Sequence, residues 1–294
     1  MRPLHVDHDG RRLAAILHER ATATGERGVT AAGGAAMPAA AAAPAALLVC
    51  NPFGQEAVRV HRMQRVLCEQ LLRGGLPSLR FDYYGAGESL GDDEQADPAG
   101  WVGDILAADR ALRAQTGATR VVWLGARLGA TLALLASVSA RPADRPAGLV
   151  LWEPVIDGAA YARSLSCDHE RALRSSFGPF LRRARRRDRP QWIGFGVGPA
   201  MREQLEALRA PLPPAGLPVA VVGSPSADDA ARFEPPLQAW CERAVAQAVQ
   251  AGLPVPRRVT LSHQFDWTAE DALNTALVPA PAVRLLRAEI EAMR

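Results

Sequence analysis

The sequence contains no lysine, since all 34 of its lysine-or-arginine positions are arginine. Together with the excess of alanine, this absence is typical of coding bias in a GC-rich genome. The formal net charge is only +3, and the chain lacks an extended basic face with interleaved aromatic residues. We therefore expect no nucleic-acid partner.

Cysteine is scarce, and the four cysteine residues form no Cys-x-x-Cys pair. This pattern favours a reduced protein with buried thiols over a disulfide scaffold. The chain also lacks a cluster of metal-ligand residues, a phosphate-binding glycine loop and a dinucleotide-binding fingerprint. The sequence therefore predicts no metal and no cofactor.

Long apolar runs are missing as well. No stretch approaches the roughly 20 residues that a membrane-spanning helix needs. The first residues, Met1 to Asp7, contain no apolar core of the kind that a signal peptide carries. We expect no transmembrane segment and a cytoplasmic location.

The composition is that of a globular protein, with 48% hydrophobic and 22% charged residues in 294. Strand and helix patterns alternate through residues 1–155 and 213–294, which predicts a mostly parallel sheet covered on both faces. Residues 156–212 lose this rhythm, and we interpret them as a lid insertion. The Ala/Gly/Pro run at 31–46 is interpreted as a flexible loop.

Individual elements can be placed on this pattern. Asp9-Gly10 marks the turn of a β-hairpin between Leu4 and His18. The predicted strands that follow are 47–50, 78–82, 121–124, 148–152, 218–223 and 257–261. The predicted helices are 58–72, 98–115, 237–250 and 281–293, with a further helix from Thr131.

Polar side chains follow the ends of these strands. Because ligands of parallel sheets bind beyond the carboxyl ends of the strands, we expect these residues to ring one crevice. They are Asn51, Tyr83, Arg127, Glu153, Ser224 and Ser262.

One of these positions lies in a tight turn between a strand and a helix. Gly125-Ala126-Arg127-Leu128-Gly129 follows the apolar strand and precedes the helix. This setting matches a nucleophile elbow, in which the sequence is normally Gly-x-Ser-x-Gly. Here the central residue is Arg127 rather than serine.

Two further stretches complete a resemblance. Residues 81–89, with the sequence FDYYGAGES, resemble the Phe-Asp-x-x-Gly-x-Gly-x-Ser loop of the α/β-hydrolase superfamily, especially its serine aminopeptidase-like and exosortase-associated branches. Asn51-Pro52-Phe53-Gly54 stands where those proteins carry an oxyanion loop. The resemblance implies an α/β-hydrolase fold: a twisted, mostly parallel sheet with an N-terminal β-hairpin, helices on both faces and a helical lid.

The resemblance also assigns roles by position. Backbone N–H groups of Leu128 and of Phe53 or Gly54 would hold an oxyanion. The remaining roles would fall to His263 as the base and to Asp228 or Asp229 as the acid, in the chain order that this superfamily uses.

Arg127 departs from the pattern at the nucleophile itself. A guanidinium stays protonated and has no lone pair with which to attack a carbonyl. It can instead bind a small anionic or acyl ligand, such as a carboxylate or phosphate, at the start of the helix. Alternatively it pairs internally with Glu153 or Glu56 and fills an abandoned pocket.

Three further polar residues lie near the predicted site. Glu153 can pair with Arg127, as a buried arginine requires, or serve as an alternative acid for His263. Asp82 and Ser89 are expected to fix the backbone of their own loop.

Three functions remain open at this point. The first is a protein of this fold that lacks serine-hydrolase chemistry and binds a small anionic ligand at the elbow. The second is an ester, amide or thioester hydrolase or acyltransferase in which His263 and a carboxylate activate water. The third is a scaffold that binds an anionic partner through the arginine-rich lid segment Arg182–Arg189.

Overall fold

The computed structural model describes residues 1–20, 44–176, 190–223, 230–262, 265, 267 and 278–294. The predictions for the loop at 31–43, for Arg182–Arg189, and for Ser224, Asp228, Asp229 and His263 lie outside these residues.

The chain begins with the hairpin that its turn dipeptide predicts. Strands β1 (Arg2–His8) and β2 (Arg11–His18) pair antiparallel. Asp9 and Gly10 both have positive φ, of 45° and 75°, which is the geometry of the tight hairpin turn that an Asp-Gly dipeptide favours.

Alternating strands and helices follow. In chain order they are β3 (Ala45–Cys50), α1 (Gly54–Arg73), β4 (Ser78–Phe81), α2 (Pro98–Thr116), β5 (Arg120–Ala126), α3 (Leu128–Ser139) and β6 (Gly148–Trp152). Helix α1 starts four residues before the predicted helix, since the predicted start rested on the apolar stripe and the first turn is polar.

The described part of the expected lid region, 156–176 and 190–212, contains two helices and a small hairpin. These are α4 (Gly158–Ser176), β7 (Gln191–Trp192), β8 (Phe195–Gly196) and α5 (Pro199–Ala207). The sheet resumes with β9 (Val219–Gly223), α6 (Ala230–Gln250), β10 (Arg257–Thr260) and α7 (Ala280–Met293).

Eight strands form one sheet in the order β1-β2-β4-β3-β5-β6-β9-β10. The hairpin joins β4 antiparallel, and every pair from β4 to β10 is parallel. The predicted fold class is therefore confirmed.

The two faces of this sheet are covered by different helices, as strand β5 illustrates. Val121 and Trp123 point into the core that α2 and α3 cover. Val122 and Leu124 point into the core under α1 and α7. Because side chains alternate along a strand, an unbroken apolar strand such as β5 needs both covers.

No helix among the described residues is long and apolar enough to cross a membrane.

Candidate functional site

The elbow turn adopts a strained backbone at its centre. Arg127 separates β5 from α3 with φ +52° and ψ −123°, and Glu153, directly after β6, has φ +46°. A positive φ is uncommon for residues other than glycine, and it costs on the order of 1–3 kcal/mol. Two adjacent parallel strands therefore end in strained charged residues that face one another.

The flanking glycines serve close packing rather than the turn angle. A Cβ on Gly129 would meet the carbonyl oxygen of Asn51, and one on Gly125 would meet the backbone of Ala130. Arg127 itself takes the positive φ. Glycine is thus required at these two positions for space beside α3 and the end of β3, and not for the sharp turn itself.

The side chain of Arg127 is buried in an ion-pair network. Its Nε donates to Glu56 Oε1 at 3.0 Å, and its Nη1 lies 3.5 Å from Glu153 Oε2. The side chains of Arg127 and Glu56 are 5% and 1% exposed, whereas that of Glu153 is 14% exposed. Both internal partners that the sequence offers, Glu56 and Glu153, are therefore engaged by the same guanidinium.

Two aromatic residues enclose this network. The hydroxyl of Tyr161 donates to Glu56 Oε2 at 2.7 Å, and the indole N–H of Trp267 donates to Glu153 Oε2 at 2.7 Å. The guanidinium carbon of Arg127 lies 5.6 Å and 5.5 Å from the centres of the Tyr161 and Trp267 rings. Cation–π attraction thus adds to the ion pairs.

Opposing effects act on the pKa of the buried Glu56 carboxyl. Burial raises the pKa of the Glu56 carboxyl, while the Arg127 guanidinium and the Tyr161 hydroxyl act in the other direction. Burial also raises the pKa of Tyr161 well above its usual value. Glu56 lies in the first turn of α1, where the helix dipole favours a carboxylate. The buried charge of Arg127 is therefore compensated inside the protein by the carboxylates around it.

The loop after β4 has the structural role that we expected. The hydroxyl of Ser89 donates to the backbone oxygen of Asp82 at 2.6 Å and accepts from Ala14 N at 2.9 Å. Asp82 Oδ2 accepts from the backbone N–H of Glu88 at 3.1 Å. Both side chains therefore tie the loop to itself and to β2, which confirms that expectation.

A cavity of about 730 Å³ opens beside the turn from Asn51 to Gly54, which we call the oxyanion-like loop. It is lined by the turn from Asn51 to Gly54, the start of α1, the loop after β4, the first turns of α2 and the β7–β8 hairpin. The described residues that line it do not include Arg127 or Glu153. This cavity is thus displaced from Arg127 and Glu153.

Five of the six strand-end residues are described, and four of these five are divided between two places. Asn51 and Tyr83 line the cavity, and Arg127 and Glu153 pair with each other. Ser262 is exposed and absent from the described lining of the cavity. The described lining of this cavity therefore brings together two of the six residues that we expected to ring one crevice.

Some residues of the network carried no usable signal in the sequence. Tyr161 lies in the irregular region after β6, and Trp267 follows the last strand without a motif. Only the three-dimensional arrangement brings them to Arg127. Among the described residues, no group of three or more histidine, cysteine or acidic side chains is placed to hold a metal ion.

Comparison with known proteins identifies the fold. No protein-family profile and no curated protein sequence matches this chain. Among solved structures, Est1E of Butyrivibrio proteoclasticus with bound ferulic acid is 18% identical, with a TM-score of 0.61 and coverage of 98% of this chain and 99% of Est1E.

Two further structures are similar over the whole chain. An esterase of Pyrococcus furiosus is 12% identical, with a TM-score of 0.62 and coverage of 99% of this chain and 90% of the esterase. A proline iminopeptidase of Mycobacterium smegmatis is 14% identical, with a TM-score of 0.55 and coverage of 99% and 98%. At such identities the likeness shows the α/β-hydrolase fold alone, since this fold hosts many functions.

Proposed function

We propose that this protein of the α/β-hydrolase fold lacks serine-hydrolase chemistry and acts by binding a small molecule. The observation that carries the proposal is the buried pairing of Arg127 with Glu56 and Glu153 at the nucleophile position. A protonated guanidinium supplies hydrogen-bond donors and no nucleophile.

The ion pairs bear on which ligand the elbow can take. The anionic or acyl ligand that the sequence suggests at Arg127, near the backbone of Leu128, Phe53 and Gly54, stays a prediction. An anion would have to displace Glu153, the more exposed of the two carboxylates. Because the guanidinium of Arg127 already donates to both carboxylates, an anion would compete with them for its N–H groups.

The other two functions depend on parts of the chain outside the described residues. Water activation requires His263 and a carboxylate such as Asp228, and a scaffold role requires Arg182–Arg189. The described geometry favours neither function. Because Arg127 pairs internally, we infer that the elbow turn has a structural role and that the ligand binds in a neighbouring cavity.

Labelling with a serine-directed fluorophosphonate tests the loss of chemistry. We expect no covalent adduct on the native protein, because no serine occupies the elbow that would activate it. Mass spectrometry of the whole protein after incubation is the measurement, with a known serine esterase as the positive control. An adduct formed only by the folded protein would refute the proposal.

A further inference from the structure

We propose that the cavity beside the oxyanion-like loop is the ligand site, and that it selects a small organic cation with an aromatic body. This inference rests on the proposed binding function and adds the location and the chemical class of the ligand. It does not depend on Arg127 contacting the ligand.

The size and the walls of the cavity suit one small organic molecule. Its volume of about 730 Å³ lies within the range of roughly 300–1,000 Å³ that is usual for small-molecule sites. Five structural elements, in three separate stretches of the chain, build its walls. A concavity assembled from so many elements is preformed by the fold.

Four aromatic rings in mutual contact form one side of the cavity. Tyr83 stacks on Trp101 with ring centres 4.7 Å apart, Trp101 lies 6.1 Å from Phe53, and Phe53 lies 6.3 Å from Phe195. All four residues line the cavity. Tyr83, Trp101 and Phe53 are 2%, 1% and 7% exposed, so they form an apolar backing. The partly exposed ring of Phe195 is the one that a flat apolar body or a cation can contact directly.

The charged side chains among the described lining residues of the cavity are all carboxylates. Its charged carboxylate residues are Asp82, Glu88, Asp92 and Asp93. Of the described residues that line it, none is arginine, although the chain contains 34 arginines and has a net charge of +3. A concave surface with charges of one sign concentrates counter-ions, so this cavity favours a cation against the charge of the whole protein.

Histidine does not offset these charges. His61 lines the cavity from α1, and its pKa is lowered, first by burial and next by Arg80. The imidazole is therefore neutral at pH 7, where it can accept a hydrogen bond from an ammonium group. The acidic and aromatic residues of the cavity therefore favour a cationic ligand, whereas Arg127 in the sequence predicts an anionic one.

A matched series of indoles tests the charge preference. The three compounds share the indole ring system. They differ in their substituent, which is positive in tryptamine, neutral in tryptophol and negative in indole-3-acetate. We expect isothermal titration calorimetry on the full-length protein at pH 7 to rank tryptamine as the tightest and indole-3-acetate as the weakest. Equal affinities, the reverse order, or no binding of tryptamine at millimolar concentration would overturn the proposal.

Two pairs of variants place the binding in this cavity. Val58 and Val138 are exposed helix residues, 57% and 52% exposed, and only Val58 lines the cavity. Val58→Trp should abolish tryptamine binding, whereas Val138→Trp should preserve it. Tryptamine binding that is equal in both variants would put the site elsewhere and overturn the proposal.

Glu88→Gln and Glu203→Gln form the second pair. Glu88 lines the cavity, while Glu203 is an exposed residue of α5 away from it. Because the lost attraction is that of a solvent-exposed charge, only Glu88→Gln should weaken tryptamine binding, by about threefold. An unchanged affinity in Glu88→Gln would contradict the charge argument.

The outcomes separate this inference from the proposed function. If tryptophol or indole-3-acetate binds better than tryptamine and Val58→Trp removes that binding, the protein binds small molecules but the cation class is wrong. If tryptamine binds as expected and fluorophosphonate labels the folded protein, the cavity assignment holds and the loss of hydrolysis is wrong.

Discussion

At the scale of single residues, the molecule is defined by Arg127 and the two carboxylates around it. A buried ion network contributes little net stability compared with a well-packed apolar replacement, because desolvation offsets much of the attraction. Removing one partner is a different matter, since the other charges remain buried. The network therefore behaves as a unit, and single substitutions should reveal this.

Arg127→Met tests the unit directly. It leaves Glu56, which is 1% exposed, without its cation, so the free energy of unfolding should fall by about 3–5 kcal/mol. Arg127→Met combined with Glu56→Gln should recover part of that loss, because the buried amide no longer carries a charge. Urea denaturation followed by circular dichroism measures both. A double variant as unstable as the single one would contradict the network.

Arg65→Ala is the control for that experiment. Arg65 pairs with Glu69 on the exposed side of α1, where an i,i+4 ion pair is worth less than about 1 kcal/mol. Its removal should change the free energy of unfolding little.

His18 gives a pH dependence at the same scale. Burial, followed by the charge of Arg80, lowers its pKa from 6.5 to about 4. Between these values the unfolded chain binds a proton that the folded protein does not, so the free energy of unfolding falls as the pH drops from 6.5 to about 4.

His18→Gln should make that pH dependence shallower. The amide oxygen can still accept the hydrogen bond from Arg80 Nε, which now reaches His18 Nε2 at 3.2 Å, but it binds no proton. The measurement is the urea midpoint of both proteins at several pH values between 4 and 7. Parallel curves would show that His18 does not contribute.

At the scale of elements, the sequence predicted the repeating pattern well and the site poorly. The hairpin around Asp9-Gly10 and the strands at β5 and β6 followed from turn chemistry and apolar runs, which are local. The cavity and the enclosure of Arg127 depend on Tyr161, Trp267 and the β7–β8 hairpin. These elements come from regions without periodicity, and only tertiary contacts bring them together.

Helix α3 provides a test of element packing. Gly129→Ala puts a methyl group against the backbone oxygen of Asn51, which has no freedom to move, so it should be strongly destabilising. Gly103→Ala is the matched control, because its nearest contact would be His8 Cε1 at 3.6 Å. In helix α2 that change should be neutral or stabilising by up to about 1 kcal/mol.

Thermal unfolding of these two alanine variants is the measurement. A Gly129→Ala variant that is as stable as the native protein would mean that α3 can move away from the end of β3. The need for space at the elbow would then be wrong.

At the scale of the whole molecule, the eight-stranded sheet has the α/β-hydrolase fold, and a turn with positive φ joins β5 to α3. The central residue of that turn, Arg127, lies in a buried charge network with Glu56 and Glu153, and the cavity lies apart from these residues. The fold and the side chain at the turn can vary independently, because the turn depends on backbone packing whereas a reaction depends on particular side chains.

The most direct test of this account measures hydrolysis of p-nitrophenyl acetate and butyrate over a range of substrate concentrations. The native protein is compared with the combined variant Arg127→Met and Glu56→Gln, which removes the elbow network. We predict that both proteins give the same slow rate without saturation. Saturable turnover by the native protein, above all if the combined variant loses it, would contradict the claim that this elbow no longer performs hydrolysis.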